Sequence, residues 1–158
     1  MSGFSIRQSV PFDLEAILKI EQDNENAAHW SPDAYRRIWH DPETRRIAFV
    51  AERGGEIVGF VVGHDIAGEW ELENVAVTPS AKRQGIGREL VEHLVAVVQA
   101  ASGTRIFLEV RTSNFPAQHL YKVLGFEQVG SRSRYYSNPE EDALLFEKKL
   151  TAISMKIR

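Results

Sequence analysis

Val75-Ala76-Val77-Thr78-Pro79 runs into Lys82-Arg83-Gln84-Gly85-Ile86-Gly87-Arg88, and the reading of this stretch decides the fold. A run of apolar, mostly β-branched residues that stops at a proline predicts the end of a strand. From Gly85 to Ala101 the apolar residues Ile86, Leu90, Leu94 and Val98 recur at helical spacing, and Gly103 is a helix terminator. A strand, a basic glycine-containing loop and a helix therefore follow one another. Free backbone amides at the start of such a helix, with Arg83 and Arg88 beside them, make a site for a phosphate or pyrophosphate. Glycine belongs where the backbone approaches an anion closely or takes a positive φ. Two nucleotide-binding readings fail on spacing. The dinucleotide fingerprint needs a third glycine at position 90, which is Leu90, and no Gly-Lys-Ser/Thr of a Walker loop is present. The bland alternative is a glycine turn before an ordinary helix with solvated arginines.

Working outward, Phe4–Val10 reads as a short strand, and Asp13 as a cap for a helix over Leu14–Asp23. Ser31-Pro32-Asp33 starts a second helix that runs to about His40, before Asp41-Pro42. Arg46–Glu52, Glu56–Asp65 and Trp70–Thr78 are strands separated by Gly54-Gly55 and Ala67-Gly68. Beyond the long helix, Arg105–Val110 is a strand and Asn114–Leu124 a helix closing on Gly125; Phe126–Tyr136 and Ala143–Leu150 are strands. The order β-α-α-β-β-β-α-β-α-β-β predicts an α/β (α+β) fold, a mixed, mostly antiparallel seven-stranded sheet flanked by about four helices. Residues 1–150 form one domain, and Thr151–Arg158 is a tail with little to bury.

The 158 residues, 43% hydrophobic and 26% charged, suffice for a core without staples and do not resemble a disordered chain. No apolar run is long enough to span a bilayer, and Met1–Val10 lacks the apolar segment of a secretory signal, so the expectation is a cytoplasmic protein with no membrane partner. Nineteen basic against twenty-two acidic residues give a net charge of −3, which argues against direct nucleic-acid binding. The absence of cysteine excludes a disulfide framework, a zinc–thiolate site and a cysteine nucleophile. Five scattered histidines show no metal-site spacing, so no metal is expected, and no Gly-x-Ser-x-Gly elbow is present.

Gly85-Ile86-Gly87 after a strand ending in Val75-Ala76-Val77, together with Leu120-Tyr121-Lys122-Val123-Leu124-Gly125-Phe126, resembles the GCN5-related N-acetyltransferase (GNAT) family over nearly the whole chain. Trp30-Ser31, Leu108-Glu109-Val110-Arg111, Ser113-Asn114, and Arg134-Tyr135-Tyr136 with Glu141-Asp142-Ala143 narrow the likeness to the branch that acetylates the N-terminal alanine of a ribosomal protein. The resemblance implies that Arg83, Gln84, Gly85, Ile86, Gly87 and Arg88 grip the pyrophosphate of acetyl-coenzyme A, the co-substrate. It implies too that Val75, Ala76 and Val77 hold its pantetheine arm and thioester, and that Asn114 contacts it. The family has Gln or Arg three residues before the first glycine; here Lys82 keeps the charge without the planar fork.

The same resemblance makes Glu109 the general base and Tyr121 the general acid. Read from the residues alone, Glu109 in the apolar segment Ile106–Val110 is paired, functional or simply outward-facing, and Tyr121 is equally a core aromatic. An α-amine of pKa about 7.7–8.0 is neutral roughly once in eight at pH 7, a cost of about 1 kcal/mol, whereas a lysine at about 10.4 costs nearly 5. One carboxylate covers the smaller gap more easily, which favours an N-terminal amine. Glu69, Glu71 and Glu73 alternate and so share a face, either a solvated edge or, at Glu73, a hold on the acceptor amine; Tyr135 and Tyr136 line the same peptide groove. The expected partner is a protein N-terminal peptide, and the expected state a monomer or weak dimer. The alternatives are a small-molecule amine or a lysine as acceptor, or a non-catalytic module that binds coenzyme A.

Overall fold

In the computed structural model of the protein, residues 3–151 are described. Seven strands and four α-helices alternate as the sequence predicts: β1 (Ser5–Gln8), α1 (Leu14–Gln22), α2 (Pro32–His40), β2 (Arg46–Arg53), β3 (Glu56–Ile66), β4 (Glu69–Val77), α3 (Ile86–Ala100), β5 (Arg105–Arg111), α4 (Phe115–Val123), β6 (Glu127–Tyr136) and β7 (Glu141–Lys149). The strand order is β1-β2-β3-β4-β5-β7-β6. The β1–β2, β2–β3, β5–β7 and β6–β7 pairs are antiparallel, and β4–β5 is parallel, so the fold is the expected mixed α/β class. The tail, from residue 152 onward, lies outside the described residues. Among the described residues no helix is long and apolar enough to cross a membrane.

The chain packs as two compact units, one comprising residues up to Asp65 with Leu72–Leu94, the other Ile66–Glu71 with the residues from Val95. In the first unit, Ile17 and Ile20 of α1 and Tyr35 of α2 bury against Ala48, Val50, Phe60, Val62 and Ala76 of β2, β3 and β4. The α2 start follows the sequence signal: Pro32 opens the helix and Ser31 Oγ accepts from the Ala34 amide at 3.2 Å. Ile86 and Leu90 of α3 are fully buried over β3, where a Cβ on Gly59 would stand only 3.1 Å from both Ala76 O and Leu90 Cδ1. Only a residue without a side chain admits the helix so close to the sheet.

Asp13 departs from its expected capping role. It stands at the N-cap of α1 without a side-chain bond to the helix; its carboxylate instead accepts from Arg7 at 2.8 and 2.9 Å and from the Val10 amide at 2.8 Å. A bidentate guanidinium is a stronger donor than one helix amide, and the local turn brings Arg7 within reach.

In the second unit, β5 alternates buried Ile106, Leu108 and Val110 with half-buried Phe107, Glu109 and Arg111. Phe146 of β7 joins the buried side, and the Tyr121 ring centre lies 6.3 Å from that of Phe146 and 5.6 Å from that of Phe126. The helix end before β5 also refines the sequence reading. Ser102, at φ 62°, is the left-handed residue, and the Gly103 amide donates to Val98 O at 2.9 Å. Arg105 binds Glu69 and Glu147 on the neighbouring strands, which ties β5 between β4 and β7.

Candidate active site

The residues that the sequence singles out fall into two sets, one in each unit. The first set begins at the end of β4. Pairing of β4 with β5 runs from Glu69↔Arg105 to Glu71↔Phe107, and β4 continues past it to Val77. Trp70, Leu72, Asn74 and Ala76 are its buried phase, while Val75 and Val77 are half-exposed. Asn74 is a polar residue in that buried phase, a signal the sequence carried and the motif reading passed over. Its amide donates to the Tyr35 hydroxyl at 2.8 Å, and its oxygen accepts from Ala28 N. Asn24, also buried, donates to Val77 O at 3.0 Å and to Ile20 O at 2.8 Å. Glu21 takes the Trp30 amide at 2.6 Å. These bonds fix the segment between α1 and α2 against the end of β4.

After β4 the chain turns through Lys82 into the glycine loop. Arg83 and Gly85 both lie in the left-handed region, at φ 64° and 82°, and α3 begins at Ile86. Alternating backbone hand of this kind turns successive amides toward one concavity. The Glu89 amide is the first of α3 to find its helical partner, Gly85 O at 3.0 Å, so the preceding amides of Ile86, Gly87 and Arg88 have none within the helix. Gln84 bonds Arg53 and Ser80 O, and Arg88 bonds Glu92 at 2.9 Å, an exposed pair one helical turn apart. The groups of the loop that could face an anion are thus its backbone amides and Arg83. Two left-handed residues followed by a helix start fit the diphosphate of acetyl-coenzyme A, and a Lys at position 82 does not disturb that backbone.

Glu73 is engaged within the first unit. Arg46 Nε and Nη2 donate to its two oxygens at 2.6 and 3.0 Å, the Arg46 guanidinium lies 5.6 Å from the Trp30 ring centre, and His64 Nδ1 is 3.6 Å from Glu73 Oε2. The Glu73 side chain is 11% exposed and ion-paired, so it is not a solvated group.

The second set gathers around Glu109, whose side chain is 15% exposed. Interaction of the Tyr135 phenol with the Glu109 carboxylate is the main reason its pKa is pushed up to about 12. Tyr135 and Tyr136 stack edge to face, with ring centres 5.0 Å apart. Burial first, and the Glu109 charge second, push Tyr136 up to about 12 as well. Tyr121, on α4 and buried, is raised further, by burial and then by Tyr136. Tyr136 is therefore in electrostatic contact with both Glu109 and Tyr121, and the phenols keep their protons at neutral pH. Asn114 caps α4, its oxygen accepting from Ala117 N at 3.3 Å.

Two residues outside the expected set complete this cluster. Arg132 Nε stands 3.1 Å from Glu109 Oε1. Glu141, on β7, accepts from Ser113 N at 2.5 Å, Thr112 Oγ1 at 2.9 Å and Arg111 at 3.3 Å. Glu141 was visible in the sequence only as part of a resembling segment, and nothing local marks Arg132, because its partner lies two strands away.

The family model described as "Acetyltransferase (GNAT) family" matches residues 14–126. The chain is similar to the [ribosomal protein bS18]-alanine N-acetyltransferase of Escherichia coli K12, with 34% identity over 135 residues, covering 84% of this chain and 88% of that one. It is similar to the N-alpha-acetyltransferase RimI of Mycobacterium tuberculosis, with 35% identity over 83% of this chain and 79% of that one. The crystal structure of the Escherichia coli ribosomal-protein-S18-alanine N-acetyltransferase superposes with a TM-score of 0.84 at 30% identity, covering 98% of this chain and 99% of that one. The chain belongs to the acetyltransferase (GNAT) family and is an acetyl-CoA-dependent N-acetyltransferase.

Proposed function

We infer that this enzyme acetylates a protein N-terminal α-amine, that of the N-terminal alanine of a small-subunit ribosomal protein, by direct transfer with both substrates bound. Relatives that carry this activity in their names support the acceptor, and the lack of cysteine supports transfer without a cysteinyl intermediate. The observation that carries the reading is the Glu109 side chain, only 15% exposed on β5, with the Tyr135–Tyr136 ring pair in the same unit and Tyr121 buried on α4.

Acetyl-CoA supplies the acetyl group as an activated thioester. The amides from Arg83 to Arg88 hold its diphosphate, Val75, Ala76 and Val77 its pantetheine arm, and Asn114 adds a contact. Glu109 accepts the proton of the acceptor ammonium, directly or through a water, a cost of only about 1 kcal/mol at pH 7 for an α-amine. Tyr121 Oη, kept protonated by burial, donates its proton toward the departing sulfur. Tyr135 and Tyr136 offer aromatic walls to the acceptor peptide. Glu73, its carboxylate fixed by Arg46, helps hold the acceptor amine or a basic side chain of the peptide. The working form is residues 1–150 as a single domain, a cytoplasmic monomer or weak dimer with no nucleic-acid or membrane partner.

An acceptor panel tests the reading: a peptide starting with alanine, the same peptide blocked at its N-terminus but carrying a lysine, and a polyamine, each with acetyl-CoA and a thiol-release readout. The α-amine peptide is expected to have the highest kcat/KM. A higher value for the blocked lysine peptide or the polyamine overturns the acceptor assignment.

A further inference from the structure

Glu109 is held from two sides by residues of unequal firmness. The Tyr135 phenol interacts with its carboxylate. Arg132 meets it by an ion pair, Nε to Oε1 at 3.1 Å, although the Arg132 side chain is 59% exposed. The registry explains how they meet. Glu109 lies opposite Leu145 of β7, and Leu145 lies opposite Gly130 of β6. Arg132 is two residues further along β6, so its side chain reaches diagonally across β7, two strand spacings of roughly 5 Å each. Gly130 contributes no side chain beside that path.

A second arginine on this side of the strands is bound quite differently. Arg111, 18% exposed, donates to Glu141, Ser137 O and Pro139 O and covers the Tyr136 ring. Arg132 has the Tyr135 ring 5.7 Å from its guanidinium and the Glu109 carboxylate. An ion pair whose guanidinium is this exposed contributes little and is readily exchanged.

The chemistry makes that exchange meaningful. A guanidinium cannot give up its proton, so Arg132 on Glu109 occupies the base without consuming it. The acceptor arrives as an ammonium, also a cation, and needs the same carboxylate. We propose that Arg132 is a displaceable counter-ion, a positioning residue that occupies Glu109 between turnovers and yields it to the ammonium of the acceptor. The Tyr135 phenol keeps its interaction with the carboxylate through the exchange. The device acts on acceptors with a free cationic amine and not on blocked ones, because only a cation competes with Arg132 for the carboxylate. The proposal rests on Glu109 being the base and deepens that reading.

The experiment compares two peptides of identical sequence, one with a free N-terminus and one N-terminally blocked, binding by calorimetry to the enzyme saturated with coenzyme A. In Arg132→Gln the free-amine peptide is expected to bind about three- to fivefold more tightly, as the competing cation is gone, while the blocked peptide binds as in the wild type. Arg132→Lys restores the wild-type ratio, and 0.5 M salt (about a 4 Å screening length) shrinks the difference. An equal change for both peptides, or weaker binding of the free amine, overturns the proposal. Turnover of Glu109→Gln separates the two ideas. Wild-type turnover in Glu109→Gln would remove the base assignment itself. Lost turnover there, with an unaltered peptide ratio in Arg132→Gln, would remove the counter-ion alone.

Discussion

The guanidinium of Arg111 lies 4.3 Å from the centre of the Tyr136 ring, and the same guanidinium is anchored to Glu141 and to two carbonyls of the turn between β6 and β7. Cation and ring together hold Tyr136 where it feels both Glu109 and Tyr121. Glu141 completes the clasp by taking Ser113 N and Thr112 Oγ1. The turn and the segment leading into α4 are thereby joined by charge-assisted bonds rather than by apolar contact.

Glu141 yields the first prediction. Hydrogen bonds from Ser113, then Thr112 and Arg111, lower its pKa from 4.5 to about 2. A carboxylate depressed in the folded state stabilises above its unfolded value and loses that contribution as pH falls through the folded one. Glu141→Gln should therefore lower Tm at pH 6, and the gap to wild type should close as pH drops from 4.5 toward 2. Melting curves that stay parallel across this range would contradict the clasp.

Glu109→Gln and Tyr121→Phe should each lower kcat by roughly 10²–10⁴-fold, the usual span for loss of a proton-transfer group. KM for acetyl-CoA should hardly change, since the proposed grip lies in residues of the glycine loop and β4. Tyr121→Phe retains the ring that meets Phe126 and Phe146, so its fold should survive, as circular dichroism would register.

The protein has four tyrosines, and each is raised above the ordinary phenol range: Tyr35 and Tyr121 by burial, Tyr135 mainly by its interaction with Glu109, and Tyr136 by burial and Glu109. Absorbance at 295 nm should therefore show no tyrosinate step near pH 10 while the protein is folded. The sign for stability follows: below pH 10 both states keep their protons, and above it the unfolded chain ionises first, so stability falls as pH rises toward 12. One phenol titrating near 10 in the native protein would refute this.

Gly59 and Gly85 should fail in different ways on mutation to alanine. A Cβ at Gly59 meets Ala76 O, which is backbone and cannot swing aside, so Gly59→Ala should cost about 1–3 kcal/mol of stability. A Cβ at Gly85 meets nothing within 4 Å, but its φ of 82° is strained for alanine by about 1–2 kcal/mol. Relief of that strain would turn amides of the loop, so Gly85→Ala should raise the Kd for acetyl-CoA more than it lowers Tm. Unfolding by chemical denaturant and cofactor titration, run on both variants, separate the two effects.

Local physics was legible without coordinates. The spacing of Ile86, Leu90, Leu94 and Val98 placed α3, and all four are buried. Ser31-Pro32 marked the start of α2, and β5 was recognisable as a short apolar run. The glycine loop was legible as a strand, a loop and a helix in succession, whereas Glu109 and Tyr121 were singled out through a family likeness and not through any pattern of spacing. Asp13 shows where this ends: its type suited a cap, yet Arg7 was a better partner than the helix.

Helix and strand positions depend on periodicity and turn residues within a few neighbours, and those are written along the chain itself. Which charge meets which depends on strand order and registry. Arg132 reaches Glu109 only because β7 lies between β5 and β6 with Leu145 facing both Glu109 and Gly130, and Arg111 clasps Tyr136 only because β6 and β7 turn back upon it. A shift of one residue in either ladder would send those side chains to the opposite face. The sequence by itself thus determined the elements and the chemical groups available, and the tertiary structure alone decided their partners, because ion pairs and ring contacts act over a few ångströms between residues far apart in the chain.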